Sequence, residues 1–223
     1  MQKQVNRRAL LQGMVGGAVA LALAPNVLAA YGPPPGIISL RYNENPYGPS
    51  AKAIQAASQA LRKGAYYADP VQSGLFGAIT AKYQLSLDNL TLSSGSNEAL
   101  HAAMVAYSKK GKVVTPGLTY SDHVSYSKRM GVEFIEVPLK EDMSIDLEGM
   151  AAAVDASVSL VYVCNPNNPT GMTLDGDTLR DFCRTVSKKA MVLVDEAYNE
   201  LVDEPEYTSM VDLVREGENV LVM

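Results

Sequence analysis

The chain has 223 residues, of which 47% are hydrophobic and 19% charged, with a formal net charge of -5. That composition supplies enough apolar mass for one sizeable core and argues against an intrinsically disordered chain. The balance is acidic and no Lys/Arg-rich block occurs, so nothing offers the basic field that a nucleic-acid backbone requires.

The first thirty residues form a separate object. Arg7 and Arg8 precede a modest apolar stretch, Met14 to Leu23, which gives way to Pro25 and the small residues Ala29 and Ala30. This is the order of a secretory signal. The stretch is shorter than the ~20 residues of a comfortable membrane span, and the arginine pair resembles the twin-arginine export type. The expectation is an export signal over residues 1–30, with a periplasmic or exported product that meets the membrane only transiently. An uncleaved N-terminal anchor is the alternative. Loss of Lys3, Arg7 and Arg8 with the signal would leave the product more acidic.

From Ser93 onward, helix-like and strand-like stretches alternate. "GSNEALHAAMVAYSKKG" sets Leu100, Ala103, Met104 and Tyr107 on one face and stops at Gly111, and "KVVTP" is a short apolar strand ended by Pro116. "YSDHVSYSKRMG" reads as a helix to Gly131, "VEFIEVPL" as a strand, "DLEGMAAAV" as a short helix and "SLVYVC" as a strand. "DTLRDFCRTVSKK" follows as a helix, "MVLVDEAY" as a strand, and "NVLVM" begins another. Strands this apolar, separated by helices, predict an α/β fold with a mostly parallel sheet covered on both faces.

Cys164 and Cys183 are the only cysteines. Cys164 ends an apolar run, and Cys183 shares a helical face with Leu179, Phe182 and Val186. Two buried free thiols are therefore expected rather than a disulfide, and without a histidine pair they make no zinc site.

Sheets of this type bind ligands beyond the carboxyl ends of their strands. Polar segments follow several strands here: "SSGSNE", "TPGLTY", "NPNNPTG" and "DEAY". They are expected to converge on one rim. No G-x-G-x-x-G follows a strand and no G-x-x-x-x-G-K-[ST] occurs, which removes the dinucleotide and phosphate-loop readings. "GSNEAL" suits an anion, because Gly95 permits an unusual turn and the amides of Ser96 and Asn97 would open a helix. A simply capped helix uses the same residue types.

Six segments, "NENPYGPS", "YYADP", "GSNEAL", "PGLTY", "NPNNPTG" and "VLVDEAYNEL", occur in one order over nearly the whole chain after the signal. In that order the chain resembles the pyridoxal-phosphate-dependent aminotransferases of fold type I, and within them the histidinol-phosphate aminotransferase branch. The resemblance implies pyridoxal 5'-phosphate as cofactor, an amino acid (or amino-alcohol phosphate) and a 2-oxo acid as substrates, and a homodimer with shared active sites. It implies a three-layer α/β/α domain, incomplete at the C-terminus, over residues 56–223. Residues 31–55 would be an N-terminal arm contributing to a small domain and, through Asn43 and Tyr47, to the substrate pocket.

The same resemblance assigns cofactor-binding roles. Asp195 would face the pyridine nitrogen, since a carboxylate at the end of "MVLV" is costly to bury without a cationic partner. Asn168, followed by an Asn-Pro bond often cis in the family, and Tyr198 would donate to the phenolic oxygen. Tyr120 would stack on the ring, and Ser96 and Asn97 would hold the phosphate. Tyr67, with Tyr66 beside it as a second candidate, would reach the phosphate of the partner subunit. His123 either orients the aspartate, as in some relatives, or is a partly exposed helix residue. Glu196 is expected to point the other way, as an exposed acid.

No catalytic residue is assigned within the chain. Lys109, Lys110 and Lys112 flank Gly111 in a connection, Lys188 and Lys189 precede a strand, and all five read as solvated surface. The family's Schiff-base lysine is expected in a Ser-Lys segment beyond Met223, with the chain an N-terminal fragment that is inactive as it stands. Three functions follow: an exported aminotransferase; another enzyme of the same fold, such as a decarboxylase, lyase or racemase; or a non-catalytic cofactor-domain protein. The export signal argues against histidinol phosphate itself as the substrate, because histidine synthesis is cytosolic.

Overall fold

The structure is a computed structural model that describes residues 36–39, 42–45, 47–203 and 209–223, apart from the side chains of residues 69–71. The signal expected over residues 1–30 lies outside the described residues. The chain divides into two compact units, Met1–Tyr67 and Ala68–Met223.

In the first unit, helix α1 spans Ala51–Ala60. Its N-cap is Ser50, whose hydroxyl oxygen accepts the Ala53 amide at 3.2 Å, satisfying one of the donors a helix start leaves open. None of its residues is buried. A short 3-10 turn, Leu61–Lys63, follows.

The second unit begins with α2, Asp69–Tyr83, which stops where Gln84 turns left-handed (φ 55°). Then come α3 (Ser96–Ser108), β1 (Lys112–Pro116), α4 (Asp122–Arg129), β2 (Phe134–Val137), α5 (Leu147–Ala152) and β3 (Val158–Cys164). The last elements are α6 (Gly176–Val186), β4 (Met191–Asp195), α7 (Val211–Arg215) and β5 (Val220–Val222). The five strands form one sheet in the order β2-β1-β3-β4-β5. Every pairing is parallel, with Cys164 opposite Asp195 and Val194 opposite Val222.

Alternation along the strands builds two cores. Val161, Val163, Val192 and Val194 point to the layer of α5, α6 and α7, where they meet Leu147, Met150, Leu179, Phe182 and Leu213. Leu160, Tyr162, Cys164 and Leu193 point the other way, against Leu100, Ala103 and Met104 of α3. Strands covered on both faces must be apolar at nearly every position, which is why "SLVYVC" and "MVLV" carry no alternating polar residues. Cys183 lies in the first core and Cys164 in the second; both are buried and unbridged. Burial pushes both thiols up, Cys164 to about 11 and Cys183 to about 12, so neither is a thiolate at neutral pH.

The sheet is closely built at its amino end. The Lys112 amide donates to the Ser157 carbonyl at 2.7 Å, and a Cβ on Gly111 would collide with that same carbonyl oxygen. Because all strands run parallel, the segments after Pro116, Cys164 and Asp195 emerge together at the opposite, carboxyl rim. Among the described residues no helix is long and apolar enough to cross a membrane.

Candidate active site

The rim has an anion-seeking end at the start of α3. Gly95, its N-cap, has φ 79° and ψ 163°, a region essentially restricted to glycine. Glycine brings no capping side chain, and none bonds at this cap, so the helix start presents the exposed residues Ser96 and Asn97 with their amides and the positive end of the helix dipole. The Glu98 carboxylate accepts the Ser94 amide at 2.5 Å and shapes the turn that leads in.

Tyr120 joins this end to the loop after β1. Its hydroxyl lies 2.6 Å from Asn97 Oδ1 and 3.1 Å from Asp122 Oδ2, one proton facing two acceptors. Burial, opposed by the Asn97 contact, pushes the phenol's pKa up and keeps it protonated.

The loop after β3 explains why "NPNNPTG" carries three asparagines. Asn165 is fully buried, and its Oδ1 accepts the Leu174 amide at 2.8 Å. Asn167 is also buried; its Nδ2 donates to the Leu118 carbonyl at 3.1 Å and to Thr170 Oγ1 at 3.0 Å, tying this loop to the one that carries Tyr120. Asn168 alone is half-buried. The Asn165-Pro166 and Asn168-Pro169 bonds are both cis. Two asparagines therefore fasten the loop, and the third, Asn168, is left half-buried beside them.

Asp195 ends β4 and is 3% exposed. Its Oδ2 accepts the Tyr162 hydroxyl at 3.1 Å, and its Oδ1 accepts the Ala197 amide at 3.2 Å. Burial pushes its pKa up, while those two donors pull it back toward the charged form. Among the described residues, no lysine, arginine or histidine forms an ion pair with it. An acid buried this deeply is costly to keep charged, and among the described residues only the two neutral donors offset that cost.

His123 is neither of the things expected of it. It is fully buried, not partly exposed, and no bond joins it to Asp195; neither ring nitrogen has a hydrogen-bond partner among the described residues. Its ring meets the Tyr162 ring edge-on, with centroids 4.4 Å apart at 68°, and lies 5.8 Å from that of Tyr120. Asn97, Tyr120, His123, Tyr162 and Asp195 thus form one continuous run of contacts from the helix start to the buried acid. Tyr162 was not among the residues singled out in the sequence. Its signal was a hydroxyl inside an aliphatic run, because a buried tyrosine tip must find a partner.

Burial lowers the His123 pKa from 6.5 to about 4, helped by the charge at His101 and opposed by Asp122. The sign follows from linkage: below pH 6.5 the unfolded chain binds a proton that the folded chain refuses, so stability falls as pH drops from 6.5 toward 4. The loss reaches about 3 kcal/mol at ~1.4 kcal/mol per pH unit. Asp195, with its raised pKa, acts in the opposite sense. His123→Phe retains a ring against Tyr162 and is expected to flatten this acid limb. Urea unfolding of both proteins across that pH range checks it, and an equally steep limb in the variant would assign the effect elsewhere.

Glu196 corrects a further expectation. It does turn away from Asp195, but it is 7% exposed, and it accepts the Ser209 hydroxyl at 2.5 Å and the Met210 amide at 2.8 Å. It anchors the approach to α7. Tyr198 is half-buried, immediately before the 3-10 turn Asn199–Leu201. Lys109, Lys110, Lys188 and Lys189 are exposed, and with Lys112 they adjoin the amino ends of β1 and β4, at the rim opposite Asp195. A cleft of about 550 Å³ lies beside the edge strand β5 and reaches Gly95 and Ser96, yet Tyr120, Asn168 and Asp195 do not line it. Asn43, Tyr47 and Tyr67 belong to the first unit: Asn43 is left-handed (φ 51°), and Tyr47 and Tyr67 are exposed there.

A parallel sheet between two helical layers, with a helix start and a buried acid sharing its carboxyl rim, is the large-domain architecture of fold type I transferases. The aminotransferase class I and II family matches residues 35–223, and the chain belongs to that family. It is 36% identical over 188 residues to the histidinol-phosphate aminotransferase of Brevibacillus brevis, covering 84% of this chain and 51% of that protein. It is 34% identical over 185 residues to an aromatic amino acid aminotransferase of Thermobifida fusca, covering 82% and 51%. The crystal structure of histidinol-phosphate aminotransferase from Sinorhizobium meliloti in complex with pyridoxal-5'-phosphate superposes with a TM-score of 0.73 at 27% identity, covering 81% of this chain and 49% of that one. The chain spans about half the length of the curated relatives it matches.

Proposed function

We propose that the full-length protein is a pyridoxal-phosphate-dependent aminotransferase that moves an amino group between an amino acid and a 2-oxo acid. The observation that carries this reading is Asp195, a buried acid with no cationic partner among the described residues, at the same rim as the open start of α3. The donor set fits the cofactor at both ends: an anion suits Ser96 and Asn97, and a protonated ring nitrogen suits Asp195. Bound there, pyridoxal phosphate supplies an electron sink that stabilises negative charge at the substrate Cα.

The chain's own residues would work as follows. Ser96 and Asn97 hold the phosphate with backbone amides and the helix dipole. Tyr120, fixed by Asn97, covers one face of the ring and keeps water from it. Asp195 keeps a proton on the pyridine nitrogen. Asn168 and Tyr198 donate to the phenolic oxygen, and Asn43 and Tyr47, in the arm over residues 31–55, line the substrate pocket. Tyr67 reaches the phosphate of a partner subunit in a homodimer, which its exposure favours. Residues 56–223 are part of the large cofactor domain. The reactive lysine is none of the lysines at the opposite rim, so tests require the full-length gene product.

Export through the signal at residues 1–30 completes the proposal, and fractionation of cells expressing the full gene tests it; protein confined to the cytosol would contradict it. The activity is tested by supplying the full-length protein with pyridoxal phosphate and a panel of amino acids with 2-oxoglutarate as acceptor. Release of the matching 2-oxo acid is expected. Carbon dioxide or the inverted amino acid as the product would replace the aminotransferase reading with a decarboxylase or a racemase.

A further inference from the structure

We infer that Tyr162 is the positioning residue for Asp195, holding its carboxylate from the neighbouring strand while His123 braces the tyrosine ring from behind. This rests on the proposal that Asp195 serves the cofactor's ring nitrogen, and it names the group that aims the acid.

The geometry of the strands makes the contact. Leu160, Tyr162 and Cys164 share the sheet face toward α3, and Cys164 is the residue opposite Asp195. Tyr162 therefore stands two residues back from Asp195 on that face, roughly 6.6 Å along the strand, a gap that a phenol spans and a shorter polar side chain does not. Its hydroxyl donates to Oδ2 at 3.1 Å, while the Ala197 amide donates to Oδ1 at 3.2 Å. One donor on each oxygen fixes the plane of the carboxylate, and each oxygen keeps a lone pair for a further partner.

A neutral donor suits this task. Lysine or arginine at the same place would neutralise Asp195 and remove the reason for a cationic ligand to approach it. The phenol donates without cancelling the charge, and burial drives its own pKa far upward, so it does not ionise. Among the described residues, Cys164 on β3, pushed up to about 11, and Tyr120 before α4, also raised, sense Asp195 as well; neither brings a charge at neutral pH.

His123 completes the device without bonding to the acid. Its ring packs edge-on at 4.4 Å against Tyr162, both side chains are fully buried, and its nitrogens find no partner among the described residues. A ring in that place stops the phenol from swinging toward α4. The orienting task expected of the histidine therefore falls to the tyrosine, and the histidine acts through packing.

The test uses the full-length protein freed of cofactor, with carboxyl-labelled aspartate, the Asp195 resonance being assigned from Asp195→Asn. Tyr162→Phe keeps the ring and removes the hydroxyl. The Asp195 titration midpoint should rise by about one pH unit, as expected for the loss of a hydrogen bond to a charged acceptor. His123→Phe should leave that midpoint in place. With pyridoxal phosphate added, Tyr162→Phe should bind it severalfold more weakly. An unchanged Asp195 midpoint in Tyr162→Phe overturns the inference whatever the cofactor does. A shifted midpoint with unaltered cofactor binding in both Tyr162→Phe and Asp195→Ala upholds the contact and sinks the cofactor reading instead.

Discussion

In the full-length protein, Asp195→Ala is expected to lower kcat for amino-group transfer by about a thousandfold or more, because ~1.4 kcal/mol of transition-state stabilisation corresponds to each tenfold. On the proposed reading, alanine would leave the ring nitrogen without a carboxylate to hold its proton, and a neutral pyridine would withdraw charge from the substrate Cα far less well. The substitution leaves Ser96 and Asn97 untouched, so cofactor affinity should fall much less than rate. It also frees the Tyr162 hydroxyl and the Ala197 amide from their acceptor, which costs some stability but not the fold, since the β3–β4 pairing does not depend on the Asp195 side chain. Single-turnover formation of 2-oxo acid, measured beside cofactor binding, separates the two effects. Near-normal turnover in the variant would make Asp195 a structural acid.

Gly95→Ala should do the reverse, weakening the cofactor more than the chemistry. Nothing lies within 4 Å of a Cβ built there, so the site has room for alanine. The obstacle is the backbone: φ 79° with ψ 163° costs a non-glycine residue about 1–3 kcal/mol. Relief of that strain would turn the amides of Ser96 and Asn97 away from the phosphate. Pyridoxal phosphate should bind about ten- to a hundredfold more weakly, at ~1.4 kcal/mol per tenfold, with kcat at saturating cofactor close to the parent value. Equilibrium titration of the cofactor-free protein measures this. Unchanged affinity would mean that the α3 start does not hold the phosphate.

The strands were legible because a sheet covered on both faces leaves a plain mark: Val192 to Val194 and Leu160 to Val163 are apolar without interruption and fully buried. The motif loops were legible because rigid residue types stand where the strands stop. Helix α2 was not, since its sequence, broken by Gly74 and Gly77, sets out no clear apolar stripe. Nor was α7, five residues long, which is held by burial of Leu213 and by the bonds Glu196 makes to Ser209 and Met210.

The differences at the site have separate physical origins. Adjacent residues on a strand face opposite ways, so Glu196 was expected to be exposed once Asp195 was taken as inward. In a three-layer fold the opposite face is a second core, and there Glu196 is buried with its own donors. His123, flanked by polar residues at a helix start, gave no sign that α4 would lay it against the Tyr162 ring. Tyr162 carried only the weak signal of a hydroxyl in an apolar strand, and its partner is distant in sequence.

The central claim is that Asp195 holds a proton on the ring nitrogen of bound pyridoxal phosphate. The most direct measurement is the NMR shift of an isotopically labelled pyridine nitrogen in the full-length protein and in Asp195→Ala, both saturated with cofactor at neutral pH. A protonated nitrogen in the parent and a deprotonated one in the variant is the predicted result. The same nitrogen shift in both proteins would contradict the account.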